Sequence, residues 1–296
     1  MERLETWYQD HFLGPEAKEQ WERRIVWLAI GGFLVHLALI FLTRAEWVVL
    51  PPESRLLGSP IAAIYTPFSF ILLYEVYLLI YYLPHSISTY IGKQYEIVAL
   101  IVIRRIFKDI SNLDLTTEWF SNPDDLQFTY DVVSTVLLFA LILVFYWLNK
   151  RRHVIEGKGG ELTPKLQRFI RIKTGLAMVL IPVFIGLAVY TLGDWLLTIF
   201  SDASVERSLY DLNTIFFDEF FSVLIVTDVL LLLVSLIHTD RFRKVIRNSG
   251  FIISTILIKL SFSAVGLLNA ALTTAAVLFG VLILGLHNLY ARLEND

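Results

Sequence analysis

The sequence predicts an all-α polytopic membrane protein with about eight transmembrane helices. Of its 296 residues, 56% are hydrophobic and only 18% are charged, and its mean hydropathy is +0.62. A soluble domain carries about 25% charged residues, and a globule of this size could not bury so much apolar surface. Long apolar segments also alternate with short charged connections. These observations argue against a soluble enzyme and against a disordered chain.

Charge and cysteine content narrow the functional classes further. The chain contains no cysteine, which excludes disulfides, thiolate metal sites and iron–sulfur clusters. A net charge of −3 gives no long-range attraction to nucleic acid, so no nucleic-acid partner is expected. No cofactor is expected either. Bis-histidine haem would require two histidines at one depth within the bilayer, and the single matched pair, His85 and His238, falls at the predicted membrane surface.

The first segment, 1–24, is predicted to be a cytoplasmic N-terminal arm. It begins acidic and lacks the short apolar core and small-residue cleavage site of a signal peptide. Leu4, Trp7, Tyr8 and Phe12 could share one helical face, which favours an amphipathic helix at the membrane interface. A solvated arm is the alternative.

Eight segments have the length and composition of membrane spans, since a spanning helix needs about 20 apolar residues. The run from Phe251 to Leu286 is too long for one crossing, and its one turn signal lies at Ser263–Gly266. Two spans are therefore predicted there, with a seven-span protein as the alternative. The predicted spans are 25–43, 60–83, 88–108, 129–148, 170–192, 213–237, 250–264 and 267–289.

The connections predict the orientation. Lysine and arginine concentrate in 149–173 and 238–249, whereas 109–128 and 192–212 are acidic. The positive-inside rule places the basic connections in the cytoplasm, and eight spans then put both termini there. Tryptophans at span ends are typical of an aromatic belt. Together with the short connections and absent cysteine, this predicts a multi-pass protein of a bacterial inner (plasma) membrane.

An internal duplication is predicted from two matched polar positions. Aligning Glu75 with Asp228 superimposes the second and sixth spans without gaps, and each acid precedes a histidine, His85 or His238, by ten residues. Apolar identities are frequent between any two apolar helices, but a matched acid and histidine are not. The alignment therefore predicts that one four-helix unit occurs twice.

This duplication defines the predicted domain organisation. The units would be residues 25–148 and 168–296, and the basic segment 149–167 with its glycines and proline would link them. Because each unit has an even number of spans, the two repeats would be parallel.

Charged residues inside the predicted spans are the candidate functional residues. A charge at the bilayer centre costs at least about 2.5–3.5 kcal/mol, so such residues line a pathway, form pairs or lie near an interface. Acids at both depths of one helix would suit a proton or small cation moving between stations. Interfacial anchoring and helix packing are the alternatives. The candidate pathway acids are Glu75, Glu96, Asp218, Glu219 and Asp228, and the candidate counter-charges are Arg104, Arg105 and Lys259.

The two matched histidines are a second candidate site. Histidine titrates near neutral pH and binds metals, so His85 and His238 could form a pH-sensing or metal pair. Capping or headgroup contacts are the alternative.

Glu75 together with the stretch 95–100 resembles the second and third helices of the voltage-sensor domains of the voltage-gated ion channel superfamily. The resemblance implies that Glu75 and Glu96 occupy the positions of that family's charge-transfer acids. In the second half, Asp218 and Asp228 would match its outer and inner acids of helix two. The fourth and eighth spans lack arginine at every third position, and no pore motif occurs. The resemblance therefore implies ion handling rather than voltage sensing.

Three functions are consistent with these features. The favoured one is a channel or transporter for protons or small cations. The second is a non-catalytic scaffold or subunit of a larger membrane complex. The third is an intramembrane enzyme acting on lipid or quinone, for which no catalytic constellation is visible. The expected partners are the lipid bilayer and a second copy or another membrane subunit.

Overall fold

The computed structural model describes residues 6–45, 60–110, 122–155, 164–201, 205–238 and 242–293. Within these ranges the chain forms helices joined by short turns and has no strand. A π-helical turn at Gln9–Leu13 precedes the first long helix, and a 3₁₀ turn at Pro60–Ile64 precedes the second. The α-helices are α1 (Pro15–Arg44), α2 (Tyr65–Tyr82), α3 (Ile87–Asp109), α4 (Pro123–Ile155), α5 (Pro164–Ser201), α6 (Val205–His238), α7 (Phe242–Phe262) and α8 (Gly266–Leu293).

Each of the eight predicted spans overlaps one of these helices, so the all-α prediction is confirmed. Five segments are long and apolar enough to cross a membrane, which is compatible with a multi-pass protein. That α2, α3 and α6 also cross stays a prediction. The five segments are Thr6–Arg44, Asp125–Arg151, Gln167–Leu187, Phe242–Phe262 and Gly266–Leu293.

The apolar run near the C-terminus forms two helices joined by a tight turn. Helix α7 ends at Phe262 and α8 begins at Gly266. Gly266 has φ +64°, a left-handed conformation that glycine adopts without steric cost. The amides of Ser263 and Ala264 donate hydrogen bonds to carbonyls of the last turn of α7. The predicted break at Ser263–Gly266 is confirmed.

The start of α7 differs from the prediction. The span was predicted to begin at residue 250, but the helix begins at Phe242 and includes the basic stretch before it. Nothing between 242 and 249 breaks a helix, since the stretch has neither proline nor glycine. Arg243 and Arg247 are 8% and 6% exposed, so they pack inward instead of forming a solvated connection.

The chain divides into two compact units, and each contains sequence from both halves. Unit I comprises 1–81, 103–128 and 180–219, and unit II comprises 82–102, 129–179 and 220–296. The duplication and the boundaries 25–148 and 168–296 stay predictions.

Unit I contains an aromatic cluster through which the N-terminal arm packs against α2. The rings of Phe12 and Trp21 stack with centroids 5.8 Å apart, and Trp21 lies 6.2 Å from Tyr77. The Tyr77 hydroxyl donates a hydrogen bond to the Phe12 carbonyl at 2.6 Å. The arm therefore packs through aromatic rings. Helix α1 begins at Pro15, ten residues before the predicted span, and proline is favoured at the first position of a helix.

Unit II packs α8 against α7 and α3 through small residues. A Cβ added at Gly250 would lie 2.7 Å from Ile283, and one added at Gly280 would lie 1.7 Å from the Tyr95 hydroxyl. Small residues allow such close helix packing in membranes. Ser254 donates to the Ala276 carbonyl at 2.6 Å. The Ser254 hydroxyl thus joins α7 to α8.

Candidate functional site

Asp228 lies at the centre of a buried polar chain in unit II. Its side chain on α6 is 3% exposed and accepts a hydrogen bond from Nε2 of Gln94 on α3 at 2.9 Å. The Gln94 Oε1 in turn accepts a hydrogen bond from the Thr255 hydroxyl on α7 at 2.8 Å. The chain Thr255–Gln94–Asp228 thus links three helices through side chains.

A small cavity lies beside the Asp228 carboxylate. Its volume is about 20 Å³, which is room for one water-sized ligand. Tyr90, one helical turn before Gln94, brings its phenol to the same place and interacts electrostatically with Asp228. Its hydroxyl makes no hydrogen bond of standard geometry among the described residues. The lining residues are Ile87, Tyr90, Ile91, Asp228, Leu231, Leu232, Asn248, Phe251 and Ile252.

The polar wall formed by Asn248 is held in place by its own contacts. Arg247 donates to the Asn248 Oδ1 through Nε and Nη2, at 3.2 and 3.0 Å. The Asn248 amide donates to the Ser235 hydroxyl on α6 at 2.8 Å. Because both ends of the amide are engaged, Asn248 fixes the spacing of α6 and α7 beside Asp228.

Lys173 supplies a positive charge to this region. It lies on α5, is 2% exposed, and its Nζ donates to the carbonyl of His85 at 2.5 Å. Its charge attracts Asp228 and is repelled by Arg247. In the sequence Lys173 belongs both to the basic connection 149–173 and to the predicted span 170–192, and in the structure it lies within α5 and is buried.

The Asp228 carboxylate is buried without an adjacent positive charge to balance it among the described residues. Within the described part of the chain, no cation lies within ion-pair distance of its carboxylate. A buried charge without a partner is strongly unfavourable, so such a group takes up a proton, binds a cation or is paired. Here the Gln94 amide donates a hydrogen bond to the carboxylate, the Tyr90 phenol lies nearby, and the cavity adjoins it.

Glu96 occupies a different environment on the same helix. It forms an ion pair with Lys93 at 2.6 Å and accepts a hydrogen bond from the Tyr146 hydroxyl. Lys93 also lies 5.2 Å from the Tyr82 ring centre. The charge of Glu96 is therefore balanced locally, and no described hydrogen bond or ion pair joins it to Asp228.

The other predicted acids and cations are distributed along the helices. Glu75 lies in α2 and Asp218 in α6, but their side chains are outside the described part. Glu219 is exposed, and Arg104 and Arg105 on α3 are half-buried. The Lys259 ammonium donates to the Ser222 hydroxyl on α6. Their assignment to an ion pathway stays a prediction.

The histidine pair is described only in part. His85 is exposed, and its ring lies 5.2 Å from that of Tyr82, whereas the side chain of His238 is outside the described part. Among the described residues, no group of three or more histidines and carboxylates could hold a metal ion. The pH-sensing or metal pair stays a prediction.

Several residues of the site were not predicted from the sequence. Tyr90 and Gln94 are four residues apart, and Asn248 and Thr255 are seven apart. Both spacings place two polar groups on one helical face. Neutral polar residues at these spacings within apolar helices are the sequence signal for such a site, and charge alone does not indicate them.

Comparison with known proteins gives no match: no family model, curated protein or solved structure is similar to this chain.

Proposed function

We propose that this protein is a multi-pass membrane channel or transporter that moves protons or small cations, with Asp228 as a buried station. The observation that supports this is a carboxylate 3% exposed beside a cavity of about 20 Å³. Burial of an acid among apolar helices is costly, and a purely structural role would be met by a neutral amide.

The surroundings favour a singly charged substrate. The cavity presents oxygen atoms from Asp228 and Tyr90, the type of ligand that hard cations prefer. Lys173 places a second positive charge near the carboxylate, and like charges repel strongly in a medium of low dielectric. A divalent ion would therefore be disfavoured relative to a proton or a monovalent cation.

The same proposal includes the predicted orientation and architecture. Both termini would lie in the cytoplasm of a bacterial inner membrane, and the two halves would be repeats of a voltage-sensor-like four-helix unit. The basic segment 149–171, the acidic segments 109–128 and 192–212, and the matched pair Glu75 and Asp228 support this.

A scaffold is the second candidate, and one observation favours it. The chain Thr255–Gln94–Asp228 ties three helices together, which is also what a polar packing site does. In that case, neutralising Asp228 would change stability and leave ion flux unaffected.

The test is ion flux in proteoliposomes with an imposed pH gradient or membrane potential. We expect wild-type flux of protons, Na⁺ or K⁺ well above that of protein-free liposomes. Asp228→Asn keeps the shape and removes the charge, and it should lower this flux at least tenfold, because an added barrier of about 1.4 kcal/mol already gives that factor.

Thr273→Val is the matched control. Thr273 is buried, as Asp228 is. Its hydroxyl forms hydrogen bonds with Ser261 and with the Asn269 carbonyl of its own helix, so the ion flux of this variant should be unchanged. Gel filtration establishes that both variants are folded. Wild-type flux equal to that of empty liposomes for all three ions would overturn the proposal in favour of a scaffold. Unchanged flux in Asp228→Asn would remove Asp228 from the pathway.

A further inference from the structure

A groove lies between the ends of α4 and α8 within unit II. Its volume is about 250 Å³, which is large enough for a lipid headgroup or the end of an acyl chain. The Asn288 amide donates to the Leu148 carbonyl at 2.9 Å and joins the two helix ends beneath it. The lining residues are Leu148, Arg151, Gly285, Asn288, Leu289 and Arg292.

The groove is positively charged. The described residues that line it include two arginines and no acid, and within the described ranges neither Arg151 nor Arg292 has an ion pair. The Arg151 guanidinium lies 3.6 Å from the centre of the Trp147 ring, a cation–π contact that orients it. An anion in the groove would therefore meet the guanidinium groups of Arg151 and Arg292, and the Trp147 ring orients that of Arg151.

Asn288 adds an unused hydrogen-bond acceptor. Its side chain is 6% exposed, and its Oδ1 accepts no hydrogen bond among the described residues. A buried acceptor without a donor is unfavourable by about 1–3 kcal/mol. A ligand hydroxyl bound in the groove would remove this penalty.

The surroundings of the groove match the interfacial region of a membrane. Leu148, Leu289 and Gly285 form its apolar part, and the side chains of Trp147 and Tyr290 beside it are each about half exposed. Exposed tryptophan and tyrosine at span ends are typical of the headgroup level. The groove therefore combines an apolar part, lined by leucines, with a charged part, lined by arginines.

We propose that this groove binds an anionic phospholipid whose headgroup carries a hydroxyl group. The phosphate lies between Arg151 and Arg292, since guanidinium groups bind phosphate oxygens through charge-assisted hydrogen bonds. The headgroup hydroxyl donates to the Asn288 Oδ1, and an acyl chain follows Leu148 and Leu289. This site is separate from the proposed ion pathway and does not depend on it.

The test measures lipid binding to the purified full-length protein by native mass spectrometry. Phosphatidylglycerol, phosphatidylethanol and phosphatidylcholine are compared at equal concentration. Phosphatidylethanol has the same charge as phosphatidylglycerol but no headgroup hydroxyl. We expect phosphatidylglycerol to bind about tenfold tighter than phosphatidylcholine and about fivefold tighter than phosphatidylethanol.

The variant Arg151→Gln/Arg292→Gln should lose the preference for anionic lipid. Its matched control is Arg168→Gln/Arg171→Gln, which removes the same charge from exposed positions on α5 and should keep the preference. If both variants lost the preference for anionic lipid equally, net charge alone would explain the preference, and the proposal would be overturned.

The lipid series on the unmodified protein provides a second test. Equal binding of phosphatidylglycerol and phosphatidylcholine overturns the proposal. Displacement of the lipid by millimolar inorganic phosphate would instead assign the groove to free phosphate. Equal binding of phosphatidylglycerol and phosphatidylethanol would refute the role of Asn288.

Discussion

Helix α1 and the α7–α8 hairpin are both long and apolar, but they differ in how much of their surface is buried. In α1, 17% of the most apolar window is buried, compared with 44% in each of α7 and α8. The exposed surface of α1 is itself strongly apolar, as Trp27, Leu34 and Val35 show. The hairpin instead buries serine, threonine and asparagine side chains and approaches its neighbours at glycines.

This difference is the one expected of helices that pack in lipid. Lipid tails are as apolar as leucine, so apolar area alone does not drive one helix onto another. Close approach at small residues and hydrogen bonds between helices do so instead. Apolar length therefore indicates where the chain can cross a membrane, whereas small and polar residues indicate where helices meet.

The largest expected effect is that of Gly280→Ala. The new Cβ would lie 1.7 Å from the Tyr95 hydroxyl and 2.8 Å from the ring carbon that bears it, so the fully buried Tyr95 ring or the helices beside it must shift. We expect a loss of about 3 kcal/mol in the free energy of unfolding, measured by reversible unfolding in mixed micelles.

Gly31→Ala in α1 is the control for this substitution. Apart from the adjoining backbone of its own helix, no atom of the described residues lies within 4 Å of an added Cβ there, so alanine should be neutral or stabilising by up to about 1 kcal/mol. Similar losses at Gly280 and Gly31 would contradict the difference between the two regions. Adding Tyr95→Phe to Gly280→Ala should restore part of the stability.

A smaller effect is expected when leucine is shortened. Leu284 on α8 is 0% exposed, and Leu284→Ala should cost about 2 kcal/mol because contacts are lost and a cavity is left. Leu34 on α1 is 57% exposed, and Leu34→Ala should change stability by less than about 0.5 kcal/mol. The same unfolding measurement compares them, and an equal cost would mean that α1 is packed as tightly as α8, for example by another copy of the chain.

The smallest effect is expected from a pair of threonines. The Thr273 hydroxyl donates across the hairpin to Ser261, whereas the Thr43 hydroxyl donates to the Leu39 carbonyl within α1. Thr273→Val should cost about 0.6 kcal/mol, the usual value of an interhelical hydrogen bond in a membrane protein. Thr43→Val should have no measurable cost, and a larger loss for Thr43→Val would reverse the comparison.

Much of the fold could be predicted from the sequence, because apolar length determines where a membrane helix can form. All eight helices and the turn at Ser263–Gly266 were located in this way. The predicted start of α7 is too late because Arg243 and Arg247 are typical of a cytoplasmic loop, whereas they belong to the helix. Charge was taken as a sign of exposure, but long side chains can pack inward along a helix.

The site was predictable only in part. Asp228 was identified because an acid in an apolar helix is costly. Its partners Gln94, Tyr90 and Thr255 are neutral and cost less, so they were not singled out as site residues. Their role depends on which helices are neighbours, and a single sequence does not contain that information.

The tight turn before Gly266 has a consequence for how the protein is made. Only three residues separate α7 from α8, and Val265 among them is 87% exposed. Alone, α7 would enter the bilayer with Lys259 and several hydroxyl groups, and the serines that bond α8 would lack those partners. We therefore expect the two helices to insert during synthesis as one hairpin, so that α7 would enter the membrane only after the ribosome has released α8.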